Sequence, residues 1–310
     1  MEQQLNRRRF LGAAMGTGAA ATTAGAWAPA AVANRSNAND VVPRDAIGIQ
    51  LYSLRRIMNT QQNAANVLHQ LGRMRYTEVE MAGHYGYAPA DLRKVLDSAG
   101  VRAVSGHDPL ALDGASWQAA YKSTLEAAKT LGQRFTGVAW HPGPHTEERY
   151  KHLADRFNQA GAMAKAAGLQ FFYHNHDFEF SNKRANGEPL YNILLDETDP
   201  DLVKFELDLY WIVYGGESPV HYLGDDPRRY PLYHVKDKTW RTRADAQPWE
   251  QWEDVGPGSI DFPDIFDAGK GGPKHYIVEH DWPLLSHPQD QQAEVKTAQQ
   301  GVDYLREVRF

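Results

Sequence analysis

The sequence predicts an α/β fold, a (β/α)8 TIM barrel, on three observations. Short β-branched or aromatic runs alternate with helix-like stretches through most of the 310 residues. There are eight such runs, spread over roughly 270 residues, which suits a barrel of this size. Four of the last runs stop on a histidine or a carboxylate, as the strand ends around one barrel mouth would. Alternation of strand and helix implies a parallel sheet. An open doubly wound sheet is the competing architecture, but it usually carries a glycine-rich phosphate loop after strand one. Here strand one runs into Tyr52-Ser53-Leu54-Arg55-Arg56 instead.

Each element follows from its local pattern. Ile47 to Ser53 reads as strand one, and Ala65, Leu68 and Leu71 space a helix over about 60–72. Thr77 to Met81 is strand two. Leu92, Val95 and Leu96 mark a helix from Ala88 to Ala99, stopped by Gly100. Val101 to His107 is strand three, followed by a helix over about 115–131 that ends near Gly132. Phe135 to Trp140 is strand four, with a long helix over about 146–167 before Gly168. Leu169 to His174 is strand five, with a helix around Pro189 to Glu197. Leu202 to Leu207 is strand six and Pro231 to Val235 strand seven, with no helix assigned between them. A short helix starts near Phe262, Lys274 to Val278 is strand eight, and a helix over about 288–308 closes the chain. Arg241 to Asp254 reads as a Trp-containing loop on the mouth side.

Composition narrows the function. Hydrophobic residues make up 42% of the chain, ample for a large core, and the net charge is −6. An acidic chain with no basic run beyond its N-terminus argues against a nucleic-acid partner. No cysteine occurs, so thiol catalysis and thiolate ligation are excluded and any metal needs nitrogen and oxygen ligands. Asn6-Arg7-Arg8-Arg9-Phe10-Leu11-Gly12 resembles a twin-arginine export signal, followed by an Ala/Gly-rich stretch and Ala31-Val32-Ala33 as a cleavage site. Residues 1–33 are therefore expected to be a signal peptide, 34–45 a flexible lead-in and 46–310 the barrel. The expected location is the periplasm. The N-terminal stretch is broken by Gly, Thr and Pro, so no membrane span is expected.

The strand ends supply the candidate site. His174 and His176 share one face of strand five by period two, and either could be a ligand. Asp208 ends strand six, either as a ligand or as the N-cap of the next turn. His234 is a ligand or a satisfied core histidine. Glu279 ends strand eight as a ligand or general base. Glu179 is a base or a loop acid. Glu80, His107 and Trp140 follow strands two, three and four, Lys236 follows His234, and Trp211 and Trp240 lie near later strand ends. Aromatic faces beside charged groups suit a polyol ligand, although each tryptophan could equally pack a loop. Strands five to eight are neighbours in a barrel, so their ends can reach one ion.

Gly48-Ile49-Gln50-Leu51-Tyr52-Ser53, Tyr173-His174-Asn175-His176-Asp177-Phe178-Glu179-Phe180, Leu207-Asp208, His234-Val235-Lys236-Asp237, Gly256-Pro257-Gly258-Ser259-Ile260-Asp261-Phe262 and Val278-Glu279 together resemble the sugar isomerase/epimerase family with a xylose-isomerase-like barrel. Within it the chain resembles the inosose dehydratase and 3-keto-glycoside lyase-like members. The resemblance implies one divalent metal, manganese first and cobalt, zinc or magnesium as alternatives. It would be held by His174, Asp208, His234 and Glu279, with His174 where the family places glutamate and Trp211 where many relatives place a second histidine. Family epimerases use two metal-bound glutamates. With Glu279 alone as base, the expected reaction is proton abstraction beside a ketone with elimination. His107, Lys236 or Glu179 would assist, and Glu80, His176, Trp140, Trp211 and Trp240 would contact a small sugar substrate. A homo-oligomer is compatible with this reading. Aldose–ketose isomerisation or ketose epimerisation is the alternative. Further alternatives are a non-catalytic sugar-binding barrel and an endonuclease IV-like phosphodiesterase.

Overall fold

A computed structural model of the chain describes residues 41–240, 251–272 and 274–309. Its core is a parallel barrel of β1 (Ile47–Gln50), β2 (Glu78–Met81), β3 (Arg102–Gly106), β4 (Phe135–Val138), β5 (Gln170–His174), β6 (Val203–Asp208), β7 (Leu232–Val235) and β10 (His275–Val278). Hydrogen-bonded order is β3-β2-β1-β10-β7-β6-β5-β4, so the last barrel strand pairs with the first. The gap between β3 and β4 is spanned by a single parallel bridge from His107 to Gly137. The eight runs read from the sequence are these eight strands.

Helices wrap the outside for the reasons their sequences give. α1 (Gln61–Arg73) is capped by Thr60 and buries Ala64, Val67, Leu68 and Leu71, a stripe at helical spacing. α2 (Pro89–Ala99), α3 (Trp117–Leu131) and α4 (Glu147–Ala166) follow β2, β3 and β4. The short α9 (Phe262–Ala268) precedes β10, and α10 (Ala293–Glu307) closes the chain. Val42, within the expected lead-in, is already buried in the core.

Two regions differ from the sequence reading. β5 is followed by α5 (Phe178–Ser181) as well as α6 (Tyr191–Glu197). Between β6 and β7 the chain forms α7 (Leu209–Tyr214) and α8 (Pro219–Asp225). Leu209-Tyr210-Trp211-Ile212-Val213-Tyr214 is apolar throughout and shows no helical period. Tertiary burial and an Asp208 cap fold it as a helix. The mouth-side loop returns as β9 (Trp252–Glu253), antiparallel to β8 (Asp237–Lys238), and its residues 241–250 lie outside the described residues.

Inside the barrel, side chains are stacked in tiers. Val104, Phe135, Phe172, Leu232 and Ile277 form an apolar plug. Gly48 makes room for it, since a Cβ there would stand 2.6 Å from Ile277 Cδ1. Two residues further along β5, β7 and β10 come His174, His234 and Glu279, all on the same inward face by period two. The plug therefore floors the site.

Candidate metal centre

The upper tier is built from four strand ends. His174, Asp208, His234 and Glu279 are all buried, and one ligand-type atom from each lies within 4.8 Å of the others. Asp208 divides its carboxylate. Oδ1 accepts from the backbone N–H groups of Tyr210 (2.9 Å) and Trp211 (2.8 Å), capping α7. Oδ2 faces inward, 3.2 Å from His174 Nε2. One oxygen thus caps α7, and the other is left facing the tier. His174 Nδ1 lies 3.4 Å from the Ala139 carbonyl, an acceptor only, which puts the ring proton on Nδ1 and the lone pair on Nε2. His234 Nδ1 is 2.9 Å from Glu279 Oε2, yet it is a buried nitrogen with no hydrogen-bond partner. Two buried imidazole nitrogens among carboxylates, His234 Nδ1 and His174 Nε2, fit a divalent cation held by nitrogen and oxygen.

Lys236 shares this tier. Its Nζ lies 3.1 Å from Asp208 Oδ2, 2.8 Å from Glu279 Oε2 and 2.9 Å from Asp281 Oδ2. Burial alone would raise Asp208, but Lys236 and the imidazoles outweigh it and hold the carboxyl well below its ordinary value. Glu279 is lowered in the same way, by Lys236 and then His234. Lys236 in turn stays charged: burial lowers it, and the three carboxylates raise it further. Burial, then His234, depresses His174 to about 4, so the ring is neutral at ordinary pH, as ligation requires.

A second tier lies beneath. Glu80, His107 and Glu206 meet the other side of His234. His234 Nε2 is 2.7 Å from Glu80 Oε1 and 3.2 Å from Glu206 Oε2. His107 Nε2 is 3.0 Å and 2.9 Å from the same two oxygens. Burial and the neighbouring Glu80 push Glu206 up to about 8. Glu80, read from the sequence as a substrate contact, is fully buried and committed to this tier. His107 stands between the two carboxylates rather than free at the mouth.

The mouth holds His176 and Trp211. Their rings are 5.5 Å apart, His176 is 4.9 Å from His174, and Lys236 Nζ lies 5.4 Å from the Trp211 ring centroid. Burial, then His174 and Lys236, keeps the His176 ring neutral, and its buried Nδ1 has no partner. Glu179 does not join them. One of its oxygens accepts from Tyr173 O–H and the other from the His176 backbone N–H at 2.8 Å. Tyr173 stacks on Phe157 of α4, so of the two readings, base and loop acid, the contacts of Glu179 favour the loop acid. Trp140 and Trp240 are 59% and 73% exposed, and neither stacks on a site ring among the described residues. The Trp240 indole N–H donates to Pro257 O at 3.1 Å. Asp237 accepts backbone N–H bonds from Lys238, Gly256, Gly258 and Ile260 at 2.7–3.2 Å, folding the glycine loop around one carboxylate. A Cβ on Gly258 would stand 2.2 Å from Asp237 Oδ1.

This architecture has a name once the chain is compared with known proteins. The family model for the xylose isomerase-like TIM barrel matches residues 68–308. The chain belongs to that family. A sugar phosphate isomerase/epimerase from Parabacteroides distasonis ATCC 8503 aligns with TM-score 0.68 and 27% identity, covering 89% of this chain and 96% of that one. Inosose dehydratase 2 of Bacillus cereus is 35% identical over 92 residues, 30% of each chain, so the match spans less than half of that relative. The IOLI protein, solved with a zinc atom, shares the fold at 15% identity and TM-score 0.66, covering 86% of this chain and 99% of that one. Three members of this xylose isomerase-like site were not read from the sequence as site residues: Gln50, Glu206 and Asp281. Period two would have found Glu206, two residues before Asp208 on the same face.

Proposed function

We propose that the chain is a divalent-metal-dependent enzyme that removes a proton beside the carbonyl of a keto-sugar or related polyol ketone and eliminates a group from the next carbon. The observation that carries this reading is the convergence of His174, Asp208, His234 and Glu279 with Lys236 among them. Those four residues would hold the ion. When bound, it supplies Lewis-acid polarisation of the ketone oxygen. Asp208 and Glu279 are both ionised; Asp208 spends one oxygen on the α7 cap, and Glu279 accepts the proton. On a 3-keto-glycoside, the C2–H bond breaks toward Glu279, its electrons form the C1–C2 double bond, and the C1–oxygen bond to the aglycone breaks. The leaving oxygen takes a proton from Lys236, giving an unsaturated ketone and an alcohol. His174 in place of a glutamate leaves one carboxylate base at the ligand positions, which favours elimination over two-base epimerisation. The neighbouring sugar isomerase/epimerase and the partially matching inosose dehydratase support the substrate class.

The test is incubation of purified protein with manganese and a panel of 3-keto-glycosides and free ketoses, followed by NMR in deuterated water. Aglycone release is the expected result. Deuterium exchange without bond cleavage would move the reading to isomerase or epimerase, and no reaction with no bound metal would reduce it to a sugar-binding barrel. Residues 1–33, outside the described residues, carry the export proposal. Its test is a periplasmic form beginning at Asn34. Among the described residues no helix is long and apolar enough to cross a membrane.

A further inference from the structure

We infer that Glu80 is a positioning residue. Held in turn by Gln50, it pins a proton on His234 Nε2 and so leaves Nδ1 as the nitrogen that faces the metal ligands. The inference deepens the metal-centre reading and rests on it for its consequence, though its hydrogen bonds can be tested without any metal.

The argument starts from a group whose role cannot be reversed. The Tyr52 backbone N–H donates to Gln50 Oε1 at 3.0 Å. A backbone N–H only donates, so the Gln50 amide has its oxygen toward Tyr52 and its NH2 pointing into the barrel. That NH2 donates to Glu80 Oε1 at 2.6 Å and lies 3.2 Å from His107 Nδ1. His107 Nδ1 must then accept, which places the His107 proton on Nε2, directed at Glu80 and Glu206. Two carboxylate oxygens thus receive His107 and Gln50 as donors. Glu80 Oε1 already accepts from Gln50 and His107, which leaves no place for a proton on that oxygen, so the 2.7 Å contact from His234 Nε2 requires a proton on Nε2.

The consequence appears on the opposite edge of the ring. Nδ1 points at Glu279 Oε2 and Asp208 Oδ2, at 2.9 and 3.7 Å, without a hydrogen bond. A histidine that donates one N–H to a carboxylate and offers the other nitrogen to a metal is the arrangement that fixes ring orientation and raises ligand basicity. The same tautomers turn N–H groups from His107 and His234 toward the two lower-tier glutamates. His107 spends its lone pair on Gln50, which favours the upper tier as the metal centre.

The test uses nitrogen-labelled full-length protein stripped of metal, with the His234 imidazole followed by long-range proton–nitrogen NMR. A protonated Nε2 with a slowly exchanging, strongly downfield proton is expected in the wild type, lost in Glu80→Leu and kept but weakened in Glu80→Gln. Metal affinity, measured by chelator competition with zinc, should fall about 10–100-fold in Glu80→Leu and be partly restored in Glu80→Gln. An unprotonated Nε2 in the wild type overturns the inference. So does a Glu80→Leu protein with native circular dichroism and unchanged signal and affinity. If Glu80→Leu does not fold, the wild-type spectrum and Glu80→Gln decide. A wild-type protein that binds no metal but shows the Nε2 proton would sink the metal reading and leave this hydrogen-bond assignment standing.

Discussion

Lys236 Nζ lies 2.8 Å from Glu279 Oε2 and 3.1 Å from Asp208 Oδ2, so one buried ammonium touches two of the four candidate metal ligands. It offsets part of their charge, and a divalent ion must share them with it. Replacing Lys236 by Met removes a cation from the ligand carboxylates and a proton donor from the mouth. The expected outcome is turnover lowered by about 10²-fold or more, the order of general-acid contributions. Zinc affinity should be unchanged or higher, because one competing positive charge is gone. Steady-state rates and chelator competition on the same preparation separate the two effects. A parallel loss of both would show that Lys236 acts by organising the tier.

Glu279→Gln keeps the side-chain volume and removes the base. Turnover and deuterium incorporation next to the carbonyl should both fall by about 10²–10⁴-fold. The melting temperature should change little, since Lys236 retains Asp208 and Asp281 as partners. Near-normal exchange in this variant would assign the base elsewhere, and His176, neutral and with a free ring nitrogen, would be the next candidate.

How much of this was legible beforehand differs by residue. The four upper-tier residues could be read because each ends an apolar run, and a barrel brings the ends of strands five to eight together. The lower tier could not be assigned in the same way. Glu206 shares the inward face with Asp208 by period two, but its role shows only once His107 and His234 are seen facing it. Gln50 lies in the strand-one motif, but its role does not show there, because it depends on the orientation of one amide. Glu179 stays open in the sequence as base or loop acid, because position near a strand end does not tell which side of the barrel wall a short helix turns its side chain to. The apolar run of α7 hid its helix, since a continuous apolar run carries no period.

Asp237 is a structural test of the mouth. Its carboxylate accepts four backbone N–H groups, from Lys238, Gly256, Gly258 and Ile260. In Asp237→Asn one oxygen becomes an NH2 facing N–H donors, which leaves buried groups unpaired. Stability should fall by about 1–3 kcal/mol, read as a lower midpoint in urea. Activity should fall with it, because the glycine loop carries Pro257, the anchor of Trp240. An unchanged midpoint would mean that the loop is held by something other than this carboxylate.

Glu179 makes the last prediction, through pH. Burial pushes its carboxyl up to about 8, against bonds from Tyr173 and the His176 backbone that lower it. In the unfolded chain a glutamate titrates near 4.3. Between about pH 4.3 and 8 the unfolded chain releases this proton while the folded chain keeps it, so folding becomes less favourable as pH rises through that window. The loss is on the order of a few kcal/mol at most, at about 1.4 kcal/mol for each pH step between the two titrations. Glu179→Gln holds the same shape without a titrating proton and should flatten this slope, making the variant the more stable protein at pH 8 relative to pH 5. It should also retain turnover, because Glu179 faces Tyr173 and not the ligand tier. Urea midpoints of both proteins across pH 5–8, with rates at each pH, check both halves. A steep slope in the variant would remove Glu179 as its source, and a large loss of turnover would return the residue to the catalytic machinery.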